Sequence, residues 1–303
     1  MRRLVAPLVI ALLCAVPAFA ADFSSPGDHE GTLRFGGDER VFILHVPPGE
    51  PPPGGRALVV VLHGGAGNAA QIAKLTGFSH LADRENFLVL YPEGISARIK
   101  RLAVWNSGNC CGPALDRKID DVGFLAALLD HVKTLTPCEE RRVFMTGLSN
   151  GAMMAYRFAC ERADRVAAIA PVAGSMGAEC AASRPVSLLV MHGPADKNVR
   201  YEGGTPEKQL DPHPRVDRSV ADAKTYWSMQ NRCTGAPTVT RKGNVETEIF
   251  SGCADGTRVV IVTLHGGGHT WPGGPRTWAL GDAPVRDLGA TTAIWEFFKS
   301  LSR

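Results

Sequence analysis

"RVFMTGLSNGAMMAYRFAC", Arg142 to Cys160, joins a β-type run to a helical one through Gly147, Leu148, Ser149, Asn150 and Gly151. A Ser at the end of a buried strand, with Gly two residues before and two after, is the pattern of a G-x-S-x-G elbow. Such a turn holds the Ser backbone in a strained conformation, and small neighbours let strand and helix approach each other. The Ser149 hydroxyl is thereby raised above the sheet edge. The helix expected over Asn150 to Arg162 aims its N-terminus at the same place, where partial positive charge favours a developing anion. Five residues alone also suit an ordinary strand-turn-helix junction with Ser as N-cap. The rest of the chain has to decide.

Outward from this stretch, strand-like runs recur with helical patterns between them. "VFILHV" (Val41 to Val46), "ALVVVLH" (Ala57 to His63), "FLVLYP", "VAAIAPVAG", "VSLLVMH" and "RVVIVTLH" are apolar almost throughout, as strands covered on both faces are. Val122, Leu125, Leu129 and Val132 lie at helical spacing, and Ala223 to Met229 and Gly289 to Leu301 read as further helices. The alternation predicts one α/β domain with a mainly parallel sheet and helices on both faces, and a G-x-S-x-G elbow in that setting points to an α/β-hydrolase fold. Arg98 to Lys118 and Tyr201 to Arg218, rich in Gly, Pro and polar residues, read as loops inserted beyond the strand ends, where open parallel sheets build their sites.

The chain's start reads differently. Arg2 and Arg3, the apolar run Leu4 to Val16 and the small-x-small Ala18-Phe19-Ala20 predict a secretory signal over residues 1–20, cleaved after Ala20. The run is shorter than the roughly 20 residues of a spanning helix. No membrane association is therefore expected after cleavage, and the mature domain is residues 21–303. Of 33 Lys and Arg, 31 remain against 30 acids, a balance that recruits no nucleic acid. Eight cysteines become seven once Cys14 is removed. Their spacing fits no metal template, and an exported chain meets an oxidising compartment, so disulfides are expected rather than metal. Cys160 with Cys180, and Cys233 with Cys253, flank a strand and a hairpin region and are the expected pairs. Cys110, Cys111 and Cys138 leave at least one thiol over.

A lone Ser is a poor nucleophile, so an acid and then a His must follow it in the order this architecture imposes. "GPADKNV" places Asp196 on the loop leaving "VSLLVMH", and "GGGHTWPGG" places His269 on the loop leaving "RVVIVTLH". His265 is the local rival of His269, but it sits at the strand end where the pleat fixes its direction. Asp211 and Asp222 are rivals of Asp196, one deep in an inserted loop and one on a helix. For the oxyanion, the Asn150 N–H supplies one donor. "LHGGAGN" (Leu62 to Asn68) supplies the other through Gly65, with Gly64 and Ala66 as neighbouring alternatives. No G-x-G-x-x-G or GK[ST] is present to make that segment a phosphate loop. Trp105, Trp271 and Tyr201 sit on loops near the expected mouth, either lining an acyl pocket or covering core.

"VLHGGAGN", "WNSGNCCG", "DDVGF", "TGLSNGAMMAYRFACE", "HGPADKNVRYEGG" and "GGGHTWPGG" together resemble the secreted esterases grouped with polyhydroxybutyrate depolymerases and feruloyl esterases. The resemblance runs from about Phe35 to Phe298. It implies a Ser149, Asp196, His269 triad, hydrolysis of carboxylic esters through an acyl-enzyme, and no cofactor. Hydroxyalkanoate esters or oligomers are the first substrate class it implies and plant cell-wall feruloyl or acetyl esters the second. Cys138, just before "EERRVF", departs from the pattern and leaves the pairing of Cys110 and Cys111 open.

Overall fold

The computed structural model describes residues 23–96, 102–177, 179–208, 211, 213–276 and 281–302. The expected signal segment, with Cys14, lies outside them. The described chain forms β1 (Gly27–Phe35), β2 (Asp38–Val46), β3 (Arg56–Leu62), α1 (Ala69–Thr76), α2 (Phe78–Glu85), β4 (Leu88–Pro92), α3 (Gly112–Asp116), α4 (Asp121–Leu135) and β5 (Cys138–Leu148). It continues with α5 (Asn150–Glu161), β6 (Ala168–Val172), β7 (Ser187–His192), α6 (Val220–Gln230), β8 (Thr238–Lys242), β9 (Val245–Phe250), β10 (Val259–Leu264) and α7 (Ala290–Phe298).

The strands join one sheet in the order β1-β2-β4-β3-β5-β6-β7-β10-β9-β8. From β4 through β10 every neighbouring pair is parallel, and the flanking strands are antiparallel. This is the α/β-hydrolase arrangement expected from the sequence. Its cause is visible in β3, where all seven residues are buried. Leu58, Val60 and Leu62 enter one apolar layer and Val59 and Val61 the other, as the two-residue strand period dictates.

Helices supply the partners on each face. Phe124, Leu128 and Val132 of α4, Met154 and Phe158 of α5 and Trp227 of α6 fill the first layer. Ile72 of α1, Phe78 and Leu81 of α2 and Ile294, Trp295 and Phe298 of α7 fill the second. Each such side chain contributes about 1.5–3 kcal/mol by leaving water. Phe298 stacks on Phe144 of β5 at 4.7 Å between centroids, and Trp295 on Phe87 at 3.9 Å, which docks the last helix. Among the described residues no helix is long and apolar enough to cross a membrane.

Cys160 is joined to Cys180 and Cys233 to Cys253, as expected, the second pair closing the base of the β8-β9 hairpin. Cys110 is joined to its neighbour Cys111, and among the described residues Cys138 is the free thiol.

Candidate active site

β5, β7 and β10 end on the same side of the sheet, and the loops leaving them carry Ser149, Asp196 and His269. Ser149 has φ 57° and ψ −121°, a positive φ that a side chain rarely tolerates. Its flanking glycines are required by crowding rather than by their own dihedrals. A Cβ on Gly147 would stand 2.8 Å from the Leu62 carbonyl oxygen and 2.7 Å from the Gly151 carbonyl carbon, and one on Gly151 2.5 Å from the His63 oxygen. The elbow therefore lies directly against the end of β3.

That contact also sets the β3-α1 loop beside the elbow. A Cβ on Gly64 would meet Ser149 Cβ at 3.5 Å, and one on Gly65 would meet Asn150 Cβ at 3.8 Å. Asn150 heads α5, where N–H groups lack intrahelical acceptors and the helix dipole is positive. His63 fixes the loop from beneath. Its Nε2 accepts the Gly94 N–H at 3.0 Å, so Nδ1 carries the proton and donates to the Gly64 carbonyl at 2.8 Å. Burial pushes the His63 pKa down to about 4, against the pull of that carbonyl, which keeps the ring neutral at pH 7.

The Asn150 side chain does separate work. Its Oδ1 accepts the Trp105 N–H at 2.7 Å, and its Nδ2 donates to the Trp105 carbonyl at 3.0 Å and to Ser107 Oγ at 3.3 Å. The 105–111 loop is thereby tied to the helix behind Ser149. A buried ion pair supports it from the other side: Arg40 Nη2 donates to Asp121 Oδ1 at 2.7 Å, and Asp121 Oδ2 accepts the Asn106 N–H at 2.8 Å.

Asp196 and His269 are in contact. The His269 Nδ1–H donates to Asp196 Oδ2 at 2.7 Å, since a carboxylate only accepts, and this leaves Nε2 with a free lone pair. Asp196 Oδ1 accepts the N–H groups of Asn198 at 2.8 Å and Val199 at 2.9 Å, and His192 Nε2 lies 3.2 Å from Oδ2. Burial alone would raise this carboxyl. Hydrogen bonds from His192 and His269 outweigh it and hold Asp196 well below the usual carboxylate range. The His269 backbone N–H is held in turn by Asp282 Oδ2 at 2.7 Å. The described hydrogen bonds include none between the Ser149 hydroxyl and the His269 ring, a link that is often long before substrate arrives.

The rivals are occupied elsewhere. His265 Nε2 faces Glu246 at 3.2 Å, and Asp222 forms a capping box with Ser219 at the start of α6. Asp211 accepts the Gly112 N–H at 2.6 Å and pins one inserted loop to the other. Among the described residues, potential metal ligands cluster only at Cys110, Cys111 and Asp211, where the sulfurs are bonded to each other rather than offered as thiolates.

The two indoles expected near the mouth are corrected by their burial. Trp105 is 0% exposed and donates its Nε1–H to the His63 carbonyl at 3.0 Å. Trp271 is 1% exposed, packs edge-on against Phe78 and donates to Thr291 Oγ1 at 3.0 Å. Both are core residues under the site. Tyr201 is partly buried, with its hydroxyl bonded to Thr263 Oγ1 at 2.7 Å. Sequence reasoning missed His63, His192 and Asp282. The first two carried a signal, since each is the last residue before a Gly at a strand end in the quoted motifs.

Residues 41–199 match the family model described as Esterase PHB depolymerase. The NocK protein of Nocardia uniformis subsp. tsuyamanensis is 32% identical over 281 residues, 85% of this chain and 79% of its own. Feruloyl esterase C of Emericella nidulans is 27% identical over 308 residues, 98% of each chain. The solved acetyl xylan esterase from Aspergillus awamori superposes with a TM-score of 0.61 at 15% identity, covering 89% of this chain and 99% of that one.

Proposed function

We propose that this chain, which belongs to the esterase PHB depolymerase family, acts as an exported serine esterase through Ser149, His269 and Asp196. That it is a carboxylic ester hydrolase follows from the family. The assignment of roles rests on one observation above all: the His269–Asp196 hydrogen bond of 2.7 Å on the same sheet edge as the Ser149 elbow.

In this reading His269 Nε2 takes the Ser149 proton as Oγ attacks the ester carbonyl. The tetrahedral oxyanion rests on the N–H groups of Asn150 and Gly65, each such donor lowering the barrier by about 3 kcal/mol. His269 then protonates the leaving alkoxide. Asp196 keeps the imidazole in its productive tautomer and stabilises the imidazolium. Water repeats the sequence on the acyl-enzyme, releases the acid and restores Ser149. Cleavage after Ala20 belongs to the same reading, and the Cys160–Cys180 and Cys233–Cys253 bridges suit an oxidising compartment.

For substrate, soluble hydroxyalkanoate esters or oligomers come first. Burial of Trp105 and Trp271 withholds two aromatic walls that a feruloyl ring would stack on. The relative named Feruloyl esterase C, aligned over 98% of both chains, is the observation favouring the second reading, cell-wall feruloyl or acetyl esters. Ser149→Ala should abolish hydrolysis of p-nitrophenyl butyrate while leaving thermal unfolding cooperative; undiminished turnover removes Ser149 from its role. Hydroxybutyrate oligomers, methyl ferulate and peptide amides, compared by kcat/KM, then assign the substrate, and cleavage of the amide alone would end the esterase reading.

A further inference from the structure

We propose that His192 is a positioning residue for the acid of the site, its Nε2–H fixing the orientation of the Asp196 carboxylate that His269 leans on. The proposal rests on the roles just given to Asp196 and His269.

His192 ends β7, and its side chain is 1% exposed. Nε2 lies 3.2 Å from Asp196 Oδ2 and 2.9 Å from the Val199 carbonyl oxygen. Both are acceptors, so Nε2 must carry the proton. Nδ1 then holds the lone pair, and it is buried with no hydrogen-bond partner among the described residues. A second proton there would be a buried donor without an acceptor, which is costly. The ring is thus built to donate through Nε2.

What it donates to matters. Oδ2 of Asp196 receives both imidazoles, His192 and His269, while Oδ1 receives the N–H groups of Asn198 and Val199. Val199 closes a ring of contacts by giving its N–H to the carboxylate and its carbonyl to His192. Four donors leave the carboxylate one orientation. The other titratable groups facing His192 are Tyr201, whose ring lies edge-on at 5.7 Å, and Asp217, buried and paired with Arg215 at 2.9 Å.

Without the His192 donor, Asp196 keeps three, is freer to rotate, and becomes more basic. A more basic carboxylate holds the proton on His269 more tightly, so the acid limb of kcat/KM moves to higher pH. A side chain that merely fills space would lower thermal stability and leave that limb alone.

His192→Phe keeps the volume and removes the donor; His192→Gln offers an amide donor in its place. With p-nitrophenyl butyrate, His192→Phe should lower kcat by about tenfold, the factor carried by one hydrogen bond to a charged group, with KM within about twofold and the acid limb raised. His192→Gln should recover most of kcat and the original limb. Unchanged kcat and limb in His192→Phe, or no recovery in His192→Gln, overturns the proposal. Should His192→Phe fail to fold, 15N spectra of histidine-labelled wild type decide: Nε2 protonated and Nδ1 bare is expected at pH 7, and a proton on Nδ1 overturns it. An active Ser149→Ala would sink the site's assignment instead, and would leave the His192 tautomer where the spectra put it.

Discussion

Adding one methyl group at Gly193 should part Asp196 from His269. Gly193 follows β7 on the way to Asp196, and Gly267 follows β10 on the way to His269. The two loops touch through backbone: the Ala195 N–H donates to the Gly267 carbonyl at 3.0 Å. A Cβ on Gly193 would stand 2.8 Å from Gly267 Cα and closer still to its carbonyl group. Carbon atoms pack best at about 3.5–4.0 Å, so the loops must separate by about 1 Å, and a backbone neighbour has no rotamer with which to yield. The 2.7 Å bond between His269 and Asp196 spans the same two loops and must lengthen with them. Misplacement on that scale costs about 100-fold in rate, while overpacking costs about 1–3 kcal/mol of stability. Gly193→Ala should therefore remain folded, with kcat/KM for p-nitrophenyl butyrate about 100-fold lower and the melting temperature only modestly reduced. Activity within about threefold of wild type would show that the loops move independently of the chemistry, and the argument from their contact would fail.

Two further outcomes follow from groups beneath the site. Asn150→Ala leaves the Trp105 N–H buried without its partner, at about 1–3 kcal/mol, while the Trp105 carbonyl keeps the Cys111 N–H at 3.2 Å. It should lower both urea stability and kcat, whereas Asn150→Asp, which keeps the acceptor, should lose less; equal stability of all three would show the tie to be idle. His63 has a folded pKa of about 4 against an ordinary 6.5, so between these values the unfolded chain binds the extra proton. Its contribution is present above pH 6.5 and is lost as pH falls toward 4, on the order of 3 kcal/mol in all. Unfolding free energy measured from pH 7 to 4 should fall more steeply in wild type than in His63→Asn, and parallel curves would place the neutral ring elsewhere.

Much of the fold was legible because strands buried on both faces write continuous apolar runs. β3, β7, β10 and the second half of β5, from Val143 to Leu148, are such runs, and their order fixes where loops emerge. β1 was missed because Gly27–Phe35 alternates partly buried with exposed residues at the sheet's antiparallel end and includes Asp28, Glu30 and Arg34. The triad candidates stood out through glycines that mark tight turns. The Arg40–Asp121 pair did not, because a buried ion pair is defined by partners far along the chain: Asp121 means little until Arg40, 81 residues away, is placed against it. The indoles at positions 105 and 271 misled for the related reason that a loop residue reads as surface, while here the 105–111 loop is drawn inward by Asn150, and Trp271 is seated on Phe78.

The spatial order of the strands explains why His269 needs glycines before it. Ser149 leaves β5, Asp196 leaves β7 and His269 leaves β10, with β6 lying between the first two. Neighbouring strands lie about 4.8 Å apart, so the loop of His269 starts roughly 14 Å from the strand of Ser149, and Asp196 stands on the path between them. A histidine at the strand end cannot cover that distance, and His265 turns instead to Glu246 on the outer hairpin. Gly266, Gly267 and Gly268 carry the chain back over β7, where the Gly267 carbonyl meets Ala195 and the Asp282 carboxylate occupies the space a Gly268 side chain would need while it holds the His269 N–H. The bare backbone is what lets the returning loop pass that close, so the three glycines are as much a part of the position of His269 as the carboxylate that receives it.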